Sequence, residues 1–178
     1  RAGRQIPDYF RGKLSPGQYE QSVEYTLAKG RFQRWAGTYS RIVALVILFS
    51  GLLGFFDELA ARIARQFSLG IYGQGILFSL AVALYFAVAG LATGLSSTFG
   101  LEARFGFNRM TPGLYLADKL KGLMLGLVIG VPFVFVILWL MSATGSFWWV
   151  WAFVFIGGFQ LAMIVVFPTF IAPLFNKF

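Results

Sequence analysis

The stretch IYGQGILFSLAVALYFAVAGLATGLSSTF, residues 71–99, contains no charged residue. About twenty consecutive apolar residues are enough for an α-helix to cross the hydrocarbon core of a bilayer. This run exceeds that length, so its helix must tilt or protrude. Its later part, Gly90-Leu91-Ala92-Thr93-Gly94-Leu95-Ser96-Ser97, is rich in small residues, and such a face lets helices approach closely in lipid. The Gly90-x-x-x-Gly94 spacing therefore predicts a close neighbour there.

The rest of the chain agrees with a membrane setting. Of its 178 residues, 58% are hydrophobic, 19% aromatic and only 12% charged. A soluble domain carries about 25% charged residues, so this chain cannot clothe a water-facing surface. The runs are continuous and longer than the alternating strands of about ten residues found in outer-membrane barrels. The fold class is all-α, a polytopic transmembrane helix bundle of about four spans with peripheral amphipathic helices.

Four spans emerge in order. Trp35–Phe56 is the first, with Arg41 placed near one end so that its side chain can snorkel to the interface. Residues 71–99 are the second. Gly122–Ser142 is the third, with Pro132 near its middle as a kink site. The fourth follows an interfacial aromatic belt, Phe147-Trp148-Trp149-Val150-Trp151, and ends near Pro168. Gln160 lies inside it beside Gly157-Gly158, where a glutamine either bonds across helices or lines a polar cavity. Residues 35–168 thus hold the spans of a single membrane domain, 1–178. The short polar connection after the first span, with Asp57, Glu58, Arg62 and Arg65, reads as helical.

Residues 1–34 are polar and basic. Ser15-Pro16-Gly17-Gln18 is a helix start, with Ser15 as N-cap and Pro16 in the first turn. Tyr19, Val23 and Leu27 recur at helical spacing, and Lys29-Gly30 ends the run. The segment reads as an amphipathic helix on the membrane or a partner domain, or as an ordinary solvated helix.

Lysine and arginine set the sidedness. Residues 1–41 hold eight (Arg1, Arg4, Arg11, Lys13, Lys29, Arg31, Arg34, Arg41), 57–70 two, 100–121 four (Arg104, Arg109, Lys119, Lys121), 143–146 none, and the tail Lys177. The alternation fits four spans with both ends and the 100–121 loop cytoplasmic. The net charge of +8 belongs to membrane edges and lipid phosphates rather than to nucleic acid.

Few groups could carry chemistry. The chain has no cysteine and no histidine, so thiolate chemistry, disulfides and the commonest metal ligand and general base are missing. None of the seven acids, Asp8, Glu20, Glu24, Asp57, Glu58, Glu102 and Asp118, lies deep in a span. No phosphate loop, nucleophile elbow or zinc-ligand spacing occurs. The chain begins with Arg1 and shows no signal peptide, so a fragment or processed product is expected. It reads as a membrane module without a self-contained active site.

One segment is more specific. Glu102-Ala103-Arg104-Phe105-Gly106-Phe107-Asn108-Arg109-Met110-Thr111 precedes Leu116-Ala117-Asp118-Lys119-Leu120-Lys121-Gly122, and Thr111-Pro112 repeats the cap-then-proline signal. These blocks resemble the N-terminal membrane region of integral-membrane zinc metallopeptidases of the CAAX prenyl protease type. Phe167-Pro168-Thr169-Phe170-Ile171-Ala172-Pro173-Leu174-Phe175-Asn176-Lys177-Phe178 is similar to that family's exit from its fifth membrane helix. Residues 7–32, from Pro7 through Tyr25 to Phe32, fit its first cytoplasmic loop more loosely.

The resemblance implies a further membrane helix before Arg1. It also implies a cytoplasm-facing catalytic domain after Phe178, with HExxH on a helix and a distant glutamate as the third zinc ligand. No position here matches those ligands, so no catalytic or metal residue is assigned to this chain, and the fragment alone is expected to be inactive. Zinc is expected in the full-length protein only. The helices would wall an intramembrane chamber in the bacterial inner membrane or, in a eukaryote, the endoplasmic reticulum. The implied partners are the bilayer, the C-terminal zinc domain and a membrane-associated protein or peptide substrate. Glu102, Arg104, Asn108, Arg109, Thr111 and Asp118 are the candidate docking and substrate-guiding residues. Their plain structural roles are a turn at Asn108, a cap at Thr111, and pairing of Asp118 with Lys121 or Arg109. The competing reading is a non-enzymatic module such as a transporter half or assembly scaffold.

Overall fold

The computed structural model describes residues 16–175, and within them all regular structure is helical. The Ser15 cap, the basic residues before it and the end of the last motif at 176–178 lie outside the described residues. The order is α1 (Pro16–Phe49), α2 (Leu52–Gln66), α3 (Gly70–Leu95), a π-helical segment (Ser96–Glu102), α4 (Pro112–Ala143), a 3₁₀ turn (Gly145–Phe147), α5 (Trp148–Val166), a second π segment (Phe167–Ile171) and α6 (Ala172–Phe175). Three helical runs are long and apolar enough to cross a membrane, and a fourth forms if the broken pair α1–α2 counts as one span. The chain is a multi-pass helical membrane protein.

The first helix differs from expectation. Lys29-Gly30 does not end it: α1 runs without interruption from Pro16 to Phe49. A mid-helix glycine costs only about 1 kcal/mol relative to alanine, too little to stop a helix with good formers on both sides. The break falls instead at Ser50-Gly51, where Gly51 takes φ +80, a conformation open to glycine at little steric cost. The helical connection expected after it is α2. The turn from α2 to α3 closes with Leu69 N–H donating to Ala64 O at 2.9 Å and Ser68 N–H to Arg65 O at 3.3 Å, with Ser68 at φ 52. This is the bond pattern of a left-handed C-terminal cap.

The chain divides into two compact units, one comprising Arg1–Phe55 with Val82–Met110, the other Phe56–Ala81 with Thr111–Phe178. In the first, α1 and the later part of α3 are joined by two tyrosines. Tyr39 Oη donates to Ala89 O at 3.1 Å, and Tyr85 Oη donates to Val43 O at 2.8 Å. Ile47 is buried, one turn beyond Val43 on the same side of α1.

In the second unit, α2 carries a narrow stripe of buried alanines, Ala60 and Ala64. Gln74 Nε2 donates to Asp57 Oδ1 at 2.9 Å and ties α2 to the start of α3. The hydroxyls of Tyr72 and Ser142 lie 2.6 Å apart, and Tyr72 meets Phe135 edge-on at 5.5 Å, joining α3 to α4. Phe133 packs between Phe155 and Phe159, with ring centroids at 5.3 and 4.8 Å, and joins α4 to α5. α4 continues through Pro132. The second π segment contains Pro168, which has no N–H for residue 164, and Thr169 Oγ donates to Val165 O at 2.7 Å.

Of the small-residue face expected at Gly90-x-x-x-Gly94, the Gly90 position is open. A side chain added at Gly90 would meet no atom within 4 Å, whereas one at Gly75 would lie 2.7 Å from Leu138 Cδ1. One close helix approach among the described residues is therefore at Gly75. Gly75→Leu is expected to destabilise the protein by about 1–3 kcal/mol through overpacking, and Gly90→Leu to stay within about 0.5 kcal/mol. A thermal melt in detergent measures both, and equal tolerance would contradict this packing.

Candidate functional site

The segment 102–111 is built by three successive local closures. The helical run through Glu102 ends at Gly106, which takes φ +75. Phe107 N–H donates to Glu102 O at 2.9 Å and Gly106 N–H to Ala103 O at 3.1 Å. These are the paired bonds of a Schellman cap, with glycine at its left-handed position. Asn108 N–H also reaches Glu102 O, at 3.2 Å. The Asn108 side chain then turns the chain: its Oδ1 accepts from Met110 N–H at 2.7 Å, an Asx turn. Finally Thr111, in extended conformation, caps α4, its hydroxyl accepting from Leu114 N–H at 3.3 Å.

Two aromatic residues anchor the first part of this loop to α1. Tyr25 meets Phe105 at 5.3 Å and Phe107 at 4.9 Å, both edge-to-face. Such pairs contribute about 0.5–1.5 kcal/mol beyond area burial. Gln21 Nε2 donates to Phe105 O at 3.4 Å. Neither Gln21 nor Tyr25 was among the candidate site residues. Two phenylalanines one residue apart in a polar loop are the signal that a cover was required; its identity, some eighty positions earlier, is not readable from spacing.

The six candidates fall in two units. Glu102, Arg104, Asn108 and Arg109 belong to the first unit, and Thr111 and Asp118 to the second. Glu102 serves the fold through its carbonyl. Arg104 is exposed, with its guanidinium 5.7 Å from the Phe105 ring centre. Asn108 is half-buried, and Arg109 is exposed. Asp118, half-buried, pairs with the exposed Lys121 at 3.7 Å, an i,i+3 surface pair of the kind that contributes about 0.5 kcal/mol or less. The turn at Asn108, the cap at Thr111 and the Asp118–Lys121 pair are thus present as local structure.

Zinc does not fit this chain. It has no histidine or cysteine, and among the described residues no three carboxylates gather where they could hold a metal ion.

A multi-pass helical bundle with an aromatic-anchored loop between two of its spans is the class that fold and site define. A family model described as CAAX prenyl protease N-terminal, five membrane helices, matches residues 1–177, and the chain belongs to this family. It is 30% identical to the CAAX prenyl protease 1 homolog of Arabidopsis thaliana, over 97% of this chain and 42% of that protein. It is 29% identical to the CAAX prenyl protease 1 homolog of Homo sapiens, over 90% of this chain and 34% of that protein. The crystal structure of S. mikatae Ste24p shares the fold with a TM-score of 0.86 at 24% identity, over 99% of this chain and 42% of that one. The chain thus spans about two-fifths of the length of these relatives.

Proposed function

We propose that residues 1–178 are the membrane-embedded part of a zinc metalloendopeptidase. In this reading they wall an intramembrane chamber and support a metal-bearing domain supplied by a further segment, together making the full-length protein. The metal would supply an activated water; this chain's residues bind, orient and exclude. The 102–111 loop guides a membrane-associated protein or peptide substrate, or docks the metal-bearing domain. Glu102, Arg104, Asn108, Arg109, Thr111 and Asp118 are the residues proposed for that work.

The observation that carries the proposal is the construction of the loop. Its backbone is closed by Gly106 and Asn108 and pinned by Tyr25, while Arg104 and Arg109 stay exposed. A rigid frame that presents cationic side chains suits the positioning of a chain that must lie still for cleavage.

In the same reading the loop faces the cytoplasm, as the charge alternation requires. Arg104→Cys in a background free of other cysteines is expected to react with a membrane-impermeant maleimide only after the cells are opened. Reaction in intact cells would overturn this orientation.

A further inference from the structure

The two arginines of α2 differ. Arg62 pairs with Glu58 at 3.5 Å. Arg65 is exposed, and among the described residues its guanidinium meets no carboxylate and no hydrogen-bond acceptor. It lines a cleft of about 330 Å³ in the bend between α2 and α3, together with Ala61, Ala64, Ser68, Gly70 and Gln74. All six residues belong to one compact unit.

The sequence makes this space. Ala61, Ala64 and Arg65 recur at i, i+3 and i+4, so they share a face of α2. Two alanines and a glycine fill almost none of the volume beside it. Left-handed backbone at Ser68 (φ 52) and Gly70 (φ +66) turns the chain, and Gln74 then reaches back to Asp57 at 2.9 Å. The donors around the cleft are the Arg65 guanidinium, the Ser68 hydroxyl and the second N–H of Gln74. No carboxylate lines it: Asp57 is engaged by Gln74, and Glu58 by Arg62. Such a donor set suits an oxyanion. A guanidinium suits a phosphate in particular, because its planar fork can give two parallel N–H···O bonds.

The surroundings say which phosphate. The cleft lies at the start of the helical run Gly70–Glu102, which is long and apolar enough to cross a membrane. Phe67, Leu69 and Ile71, in and beside the same bend, are large, apolar and exposed. Such side chains are unfavourable against water and favourable against hydrocarbon. We infer that this cleft binds the phosphodiester of a glycerophospholipid, with Arg65 and Ser68 donating to its oxygens and Phe67, Leu69 and Ile71 against its acyl chains. A free phosphate would use the donors alone and gain nothing from the apolar residues. This inference rests on the α2–α3 bend and stands apart from any peptidase activity.

The test uses the full-length protein in nanodiscs containing a phosphatidylglycerol that carries a diazirine next to its headgroup. Photocrosslinks mapped by mass spectrometry are expected on residues 61–74. Arg65→Gln should lower their yield about tenfold, the order expected for a lost hydrogen bond to a charged group, and Arg65→Lys should retain most of it. Arg62→Gln, which removes an arginine already paired at the surface, should leave the yield within about twofold. Ala61→Leu, which fills the cleft without changing charge, should lower it as Arg65→Gln does. Crosslinks elsewhere on the protein should stay constant in every variant, which reports that each has folded. Unlabelled phosphatidylglycerol should compete, and inorganic phosphate should not. Equal yields on 61–74 with and without Arg65 would overturn the inference, because contact with bulk lipid needs no arginine. Displacement by inorganic phosphate would assign the cleft to a free anion and overturn it as well. None of these results depends on cleavage or zinc, so failure here and failure of the peptidase reading are separate results.

Discussion

Asn108→Ala in the full-length protein is expected to lower turnover about tenfold while zinc content stays unchanged. The substitution deletes the acceptor that holds Met110 N–H at 2.7 Å. One such hydrogen bond contributes about 0.5–1.5 kcal/mol, and a tenfold change in rate corresponds to about 1.4 kcal/mol at the transition state. The loop would loosen where it presents Arg109. Asn108→Asp keeps an acceptor at the same place, so it separates two roles. Recovery of turnover with aspartate assigns Asn108 to the turn alone. Continued loss with aspartate shows that the amide also meets substrate or the metal-bearing domain. Loss of zinc in either variant would mean that the loop supports the metal directly, against the division of labour proposed here.

Gly106→Val is expected to act more broadly. At φ +75 a β-branched residue is strongly disfavoured, and holding it there costs about 1–3 kcal/mol. Relief requires breaking the Schellman bonds from Phe107 and Gly106, which frees Phe105 and Phe107 from Tyr25. Amide exchange across 103–108 should rise by one to two orders of magnitude, matching that free energy at about 1.4 kcal/mol per tenfold. The spans themselves should keep their protection. Unchanged exchange in this segment would show that the cap does not hold the loop.

Much of the fold was legible because lipid imposes a simple rule: an uncharged run long enough to cross must be helical to satisfy its backbone. Residues 71–99 and 122–142 obey it, and both lie within long helical runs, Gly70–Glu102 and Pro112–Ala143. Thr111-Pro112 was legible as a helix start because a hydroxyl followed by proline satisfies free N–H groups in one way. Boundaries inside apolar sequence were harder to read. Gly30 looked like a stop and is passed over, whereas Ser50-Gly51, set within a longer apolar run, is the true break. The Ser50-Gly51 pair is the turn signal that distinguishes it, and Gly51 takes the left-handed backbone there. The π segments leave no compositional trace.

The candidate site was legible only in part. Asn108, Thr111 and Asp118 make the local contacts their residue types suggest. The anchoring of Phe105 and Phe107 by Tyr25 is a long-range contact that no local pattern encodes. The pairing of α1 with the later part of α3 by the Tyr39 and Tyr85 hydroxyls is another long-range contact of this kind.

The central claim is that this chain is a membrane frame whose chemistry is supplied elsewhere in the full-length protein. The most direct test purifies residues 1–178 and the full-length protein in the same detergent and measures zinc content and chelator-sensitive endopeptidase activity in both. The account predicts one zinc per full-length chain with cleavage abolished by chelator, and background zinc with no cleavage from residues 1–178 at intact helical content. Chelator-sensitive cleavage by residues 1–178 alone would contradict it.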